Sequence, residues 1–287
     1  MENSKNLNTA LLIQGPYIND VTEEMIFRNR DTFKEIVFST WNSSAKINLE
    51  DVKIIQNPLP KINDFHNSQN IYFQVCSTIY GLENIKSRFV IKARSDEYFS
   101  NLKLFVEKNS NTKKLILSNI FLKDVSYAKF HISDHLFLGE TKLLLKSFKL
   151  LKTYLEIKED NPTYNIKTDK VPAEVKIALF YLNAKGYSIK KLLDSSEIEA
   201  YEIMNLEFEV FDIEVLKPYL ISSSAIGKIK CLKKYCLFDG ASGLNYCNNI
   251  KDLAPKSKIK KKIKVFEFGI KRRIFNKAFL KLFKIVL

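Results

Sequence analysis

Residues 88–99 read RFVIKARSDEYF and end a strand on charge. Phe89, Val90, Ile91 and Ala93 form the short apolar run of a buried strand. Lys92, Arg94, Asp96 and Glu97 then crowd its end. Strand alternation puts Lys92 and Arg94 on one face, with Ala93 and Ser95 on the other. A guanidinium in that position pairs well with a diphosphate. Asp96, in the turn beyond, offers the oxygen ligand that Mn²⁺ or Mg²⁺ takes together with substrate phosphates. The same residues also suit a strand terminus running into water, and their types alone favour neither reading.

A second concentration lies at His131-Ile132-Ser133-Asp134-His135, which holds two of the three histidines. If the run Phe130–Gly139 is a strand, His131, Ser133 and His135 share a face and Asp134 points the other way. Binding an acceptor hydroxyl, general-base work and metal ligation are open to this group, as is a plain polar turn. Trp41, the single Trp, follows a strand end and suits either a stacking platform or a rim core residue. Asn70, Gln74 and Ser77 recur at i, i+4 and i+7 on a predicted helix, as a polar stripe facing a ligand or water.

Several elements must hold these residues. Strands are expected at Ala10–Ile13, Glu35–Thr40, Val52–Gln56, along the run after Arg88, and at Lys114–Ser118. Helices are expected from Asn19 or Thr22 to Arg30, over Asn67–Tyr80 with Gly81 as the stop, near 101–108, over Thr141–Leu155 and over Pro172–Tyr181. Lys158–Lys170 reads as a surface loop. This order favours a mostly parallel central sheet flanked by helices. In such sheets ligands bind beyond the carboxyl ends of the strands. Three strands end there in special residues: Gln14-Gly15-Pro16, Ser39-Thr40-Trp41 and Arg94-Ser95-Asp96.

Other chemistries lack their motifs. The sequence has no Walker A loop, no Gly-x-Gly-x-x-Gly and no Gly-x-Ser-x-Gly. Cys231, Cys236 and Cys247 supply three thiolates without a nearby fourth ligand, so a zinc site is not expected. Four cysteines and no leader-like start point to a reducing compartment. No run of 18 apolar residues exists, so no spanning helix is expected.

The net charge of +14 is uneven. Residues 255–287 carry 12 Lys and Arg and one acidic residue, against 34 basic and 31 acidic in residues 1–254. A catalytic domain at 1–254 and a basic amphipathic helical tail at 255–287 are therefore expected. On a helix Lys277, Lys281 and Lys284 fall on one face, and Phe275, Phe279, Leu282 and Val286 on another. That pattern suits an anionic membrane surface better than docking on the protein's own body or a partner, or nucleic acid.

Together, LLIQGPYINDVTEEMIFRNRDTFKEIVFSTW, NIYFQVCSTIYGLENIKSRFVIKARSDEYF, HISDHLFLG and PAEVKIALFYL resemble the WavE family of bacterial lipopolysaccharide and capsule glycosyltransferases. The resemblance runs from about residue 10 to 185, with the blocks in the family's order. It implies a GT-A-like α/β fold and a nucleotide-sugar donor. Gln14, Gly15, Pro16, Thr40, Trp41, Asn70, Gln74, Lys92 and Arg94 would then bind the donor. Asp96 would hold Mn²⁺ or Mg²⁺, and Asp134 or Glu174, with His135 in reserve, would be the general base. Arg94-Ser95-Asp96 stands where such enzymes carry Asp-x-Asp, so Arg94 replaces the first carboxylate. Either Asp96 holds the metal alone or Arg94 takes part of the cation's role. The acceptor would be lipopolysaccharide, capsule or another lipid-linked glycan. The protein would sit on the inner face of the bacterial cytoplasmic membrane. A non-catalytic membrane-associated scaffold and a nucleic-acid-binding protein are the competing readings.

Overall fold

The computed structural model describes residues 8–42, 47–60, 70–107, 113–156, 171–216 and 219–220. The expected loop 158–170, the three C-terminal cysteines and the basic tail lie outside the described residues.

The apolar runs pair into a seven-stranded sheet of order β3-β2-β1-β4-β7-β6-β8. Its strands are β1 (Thr9–Gln14), β2 (Ile36–Trp41), β3 (Lys53–Asn57), β4 (Phe89–Arg94), β6 (Leu115–Ser118), β7 (Leu136–Glu140) and β8 (Phe208–Phe211). β7 runs antiparallel to both its neighbours, and every other pairing is parallel. The mostly parallel sheet expected from the element order is therefore present. A small second sheet pairs β5 (Tyr98–Phe99) with β9 (Tyr219–Leu220).

Period-two alternation splits the strand side chains between two cores. Ala10, Leu12, Val37 and Val90 face a layer formed by α2 (Ile71–Leu82), α4 (Thr141–Glu156), α5 (Ala173–Ala184), α6 (Ile189–Asp194) and α7 (Glu197–Glu207). Leu11, Ile13, Phe38 and Ile91 face α1 (Asn19–Asn29) and α3 (Leu102–Glu107). With both faces covered, central strands need almost no polar residues, which is why β1 reads as a nearly unbroken apolar run. Asn29 ties α1 to the neighbouring chain: its Nδ2 donates to Phe99 O at 2.8 Å, and its Oδ1 accepts from Leu102 N.

Three expectations are corrected. Neither Asn19 nor Thr22 caps α1 from outside; Ile18 is the cap, and its N–H donates to Thr22 Oγ1 at 3.2 Å from within the first turns. Gly81 does not stop α2 but lies inside it, because a Cβ there would come within 2.3 Å of Leu12 and 3.2 Å of Ser39. The missing side chain lets α2 lie close against β1 and β2. Finally, the strand expected from Phe130 begins only at Leu136. Phe130 has φ 59° and turns the chain, so the alternation assumed for His131 to His135 does not exist.

Candidate active site

Parallel strands bring their carboxyl ends to one edge, and antiparallel β7 brings its beginning to the same edge. Gln14 pairs in register with Ser39 on one side and Arg94 on the other, while Ala93 pairs with Leu136. Gly15 N donates to Ser39 O, and Ser95 N to Gln14 O, continuing the pairing just past the strands. Gly15 has φ +128°, and a Cβ there would lie 2.5 Å from Ser95 Oγ. Glycine is required on both grounds, since the turn needs left-handed backbone and the neighbouring turn crowds it. Thr22 Oγ1 donates to Ser95 O at 3.1 Å, fixing that second turn from α1.

The polar stripe of α2 faces this rim. Ser77 Oγ donates to Gln14 Oε1 at 2.7 Å, and Gln74 Nε2 donates to Asp134 Oδ2 at 2.9 Å. Asn70 is exposed and caps the helix with φ 58°. Thr40 is buried, its carbonyl accepting from Asn57 Nδ2 at 3.1 Å. Trp41 is half-buried, its ring edge-on to Phe73 at 5.8 Å. Pro16 is exposed beside the buried Gly15.

The charged residues form one connected group. Arg94 forks onto Asp96, with Nε to Oδ1 at 3.0 Å and Nη2 to Oδ2 at 2.9 Å. Its Nη1 lies 3.9 Å from Asp134 Oδ2. His135 Nε2 is 3.5 Å from Asp134 Oδ1, and its Nδ1 is bonded to Glu97 Oε1. Lys92 is fully buried; its ammonium donates to the Asp134 carbonyl and lies 5.4 Å from the Phe137 ring centre. A buried ammonium is costly without such partners. Burial pushes Lys92 down to about 8, partly offset by the Asp134 charge. Lys92 therefore supports the rim from beneath, while Arg94, about a third exposed, reaches its surface.

The group sorts the two carboxylates named as general bases. Burial works against a charged Asp134, but the His135, Arg94 and Lys92 cations and the Gln74 hydrogen bond outweigh it, holding its carboxyl well below the usual range. Burial likewise opposes an imidazolium at His135, and the Glu97 and Asp134 carboxylates raise it despite that. Glu174, in the first turn of α5, behaves oppositely: burial and then the Asp134 charge raise its carboxyl. A base poised nearer neutrality accepts a proton more effectively. His131 takes no part as a cation. Burial, then Lys123, pushes it down to about 3, and its Nδ1 has no hydrogen-bond partner among the described residues.

The donor set does not fit a resident Mn²⁺ or Mg²⁺. Asp96, the expected ligand, already presents both oxygens to Arg94. Glu97 is fully buried against His135, and Asp134 is held by Gln74 beside two cations. Among the described residues no three His, Cys, Asp or Glu side chains converge on a point where an ion would sit.

Sequence reasoning places Gln14, Gly15, Arg94 and Asp96 together on this edge, while Gln74, Asp134 and His135 enter the same site only through the family resemblance; the structure brings all seven to it. Sequence reasoning gave no role to Glu97 or Ser77. Glu97 adjoins Asp96 in the charged turn, and Ser77 belongs to the α2 stripe, so both carried a local signal. That they meet His135 and Gln14 is set by the sheet order, across 38 and 63 residues of sequence separation.

The WavE lipopolysaccharide synthesis family matches residues 9–185, well over half of the 287-residue chain. The chain belongs to the WavE family. The match opens with the first residue of β1 and closes just past α5, so every rim residue from Gln14 to Glu174 lies within it. Among solved structures, the apo form of the glycosyltransferase GlyE from Streptococcus pneumoniae TIGR4 is 14% identical. The likeness covers 83% of this chain and 62% of that one at a TM-score of 0.44. A glycosyltransferase involved in glycosylation of the major capsid of PBCV-1 is 9% identical, covering 79% and 90% at 0.40. HddC from Yersinia pseudotuberculosis is 12% identical, covering 47% and 77% at 0.31. No curated protein sequence matches the chain. Likenesses of this size assign neither an activity nor a substrate.

Proposed function

We propose that this WavE-family protein is a glycosyltransferase with a GT-A-like catalytic domain. It moves a sugar from a nucleotide-sugar donor to lipopolysaccharide, capsule or another lipid-linked glycan. One observation carries the reading. Inside the family-matched segment, a partly exposed guanidinium and a carboxylate raised by burial beside Asp134 share the rim where open α/β sheets bind ligands.

In this reading the β1–α1 turn at Gln14-Gly15-Pro16 and the Trp41 edge receive the nucleotide, with Asn70 and Gln74 alongside. Gly15 lets the backbone approach closely, and Ser77 holds the Gln14 amide in place. Arg94 meets the diphosphate and stabilises the charge that develops on it as the glycosidic bond breaks. Glu174 takes the proton of the acceptor hydroxyl as its oxygen attacks the anomeric carbon in an inverting displacement. Asp134 stays ionised and orients Gln74, His135 and Arg94 around the pocket. The basic tail at 256–287 holds the enzyme on the anionic inner face of the cytoplasmic membrane.

The experiment is release of nucleoside diphosphate from a panel of nucleotide-sugars by the full chain, with a lipid-linked glycan as acceptor. Release that depends on the acceptor and collapses in Glu174→Gln supports the reading. A chain inert toward every donor contradicts it.

A further inference from the structure

Two N–H groups of Arg94 are engaged by Asp96, and a guanidinium carries five. Nη1 makes no hydrogen bond among the described residues; its nearest charge is Asp134 at 3.9 Å, and that carboxylate already accepts from Gln74. The Arg94 and Asp96 side chains are 32% and 22% exposed, so the pair reaches the surface of the rim. Asp96 in turn has no oxygen left without a guanidinium hydrogen bond. A divalent ion would have to break this bidentate pair to reach it, and among the described residues no three carboxylate, His or Cys side chains converge to hold it there.

We infer that the Arg94 guanidinium, oriented by Asp96, neutralises the diphosphate at this rim in place of a divalent cation. Asp96 is then a positioning residue and not a metal ligand. It fixes the plane of the fork so that the free Nη edge meets two phosphate oxygens together. A lysine at the same place would offer a charge without that planar geometry. The inference rests on the proposed reading that a nucleoside diphosphate group occupies the rim.

Calorimetric titration of the full chain with UDP, GDP, CDP, dTDP and inorganic pyrophosphate, in chelator and then with Mn²⁺, tests it. The expected result is that a ligand binds in chelator and that Mn²⁺ changes its affinity by less than about threefold. Arg94→Ala weakens that binding roughly 10- to 100-fold in both conditions, the range for losing hydrogen bonds to a charged group. Arg94→Lys keeps the charge and recovers only part of the loss, and matched melting curves for the variants separate binding from unfolding. Binding that requires Mn²⁺ overturns the inference and leaves the transferase reading standing. Absence of binding in both conditions overturns the inference and the reading together.

Discussion

Residue chemistry at the rim depends on which carboxylates are already neutralised. Asp134 sits among His135, Arg94 and Lys92 and is held as an anion, so its proton affinity is too low for efficient general-base work. Glu174 is only half-buried, but its desolvation and then the neighbouring Asp134 charge outweigh the His135 and Lys123 cations and raise it. A base must be deprotonated to act, so kcat falls as pH drops through the raised Glu174 value. Glu174→Gln is expected to lower kcat about 10²- to 10⁴-fold and to abolish that acid limb, leaving a pH-flat residual rate. A pH–rate profile of both proteins checks this. The types and spacing of Arg94, Asp96 and Glu174 were legible in the sequence because strand ends and a helix start announce themselves locally. The division of labour between Asp134 and Glu174 was not, since it depends on His135 and Glu97, which the sheet brings in from another strand.

Elements carry this chemistry because α2 lies close to the sheet. Its Gln74 and Ser77 reach Asp134 and Gln14 only while Gly81 lets the helix settle against Leu12 and Ser39. Leu12 is fully buried and has little room to give. Gly81→Ala is therefore expected to destabilise the fold by about 1–3 kcal/mol, the usual cost of overpacking, as urea unfolding would measure. The same sequence signal was misread as a helix stop. Glycine near a helix end ordinarily caps it, and the strand that excludes a Cβ lies some 70 residues earlier in the chain. The His131–His135 run was also misread, because Ile132 and Leu136–Leu138 imitate a continuous strand. The left-handed turn at Phe130 carries no side-chain signature. Strand positions in β1, β2, β4 and β6 were readable because both sheet faces are covered and the runs are uninterrupted.

At the scale of the whole molecule, one sheet with the helices packed on it gathers residues 14 to 174 near a single edge, and a separate basic stretch follows in the sequence. No helix among the described residues is long and apolar enough to cross a membrane. Attachment through the tail would be peripheral, with Lys and Arg near the surface contributing about 1 kcal/mol each on anionic lipid. Deleting residues 256–287 is expected to abolish flotation with phosphatidylserine-containing liposomes; unchanged flotation would remove the tail from the account. The mostly parallel order was legible from alternating strand and helix signals. The antiparallel insertion of β7, which brings Asp134 and His135 to the rim, was not, because strand direction follows from how the chain crosses over and leaves no mark in a short apolar run. The central claim is sugar transfer at that rim, and transfer of labelled sugar from nucleotide-sugars to a lipid-linked glycan tests it most directly. The account predicts label in the lipid fraction with at least one donor, lost in Glu174→Gln. No label with any donor, or equal label with the Glu174→Gln protein, would contradict it.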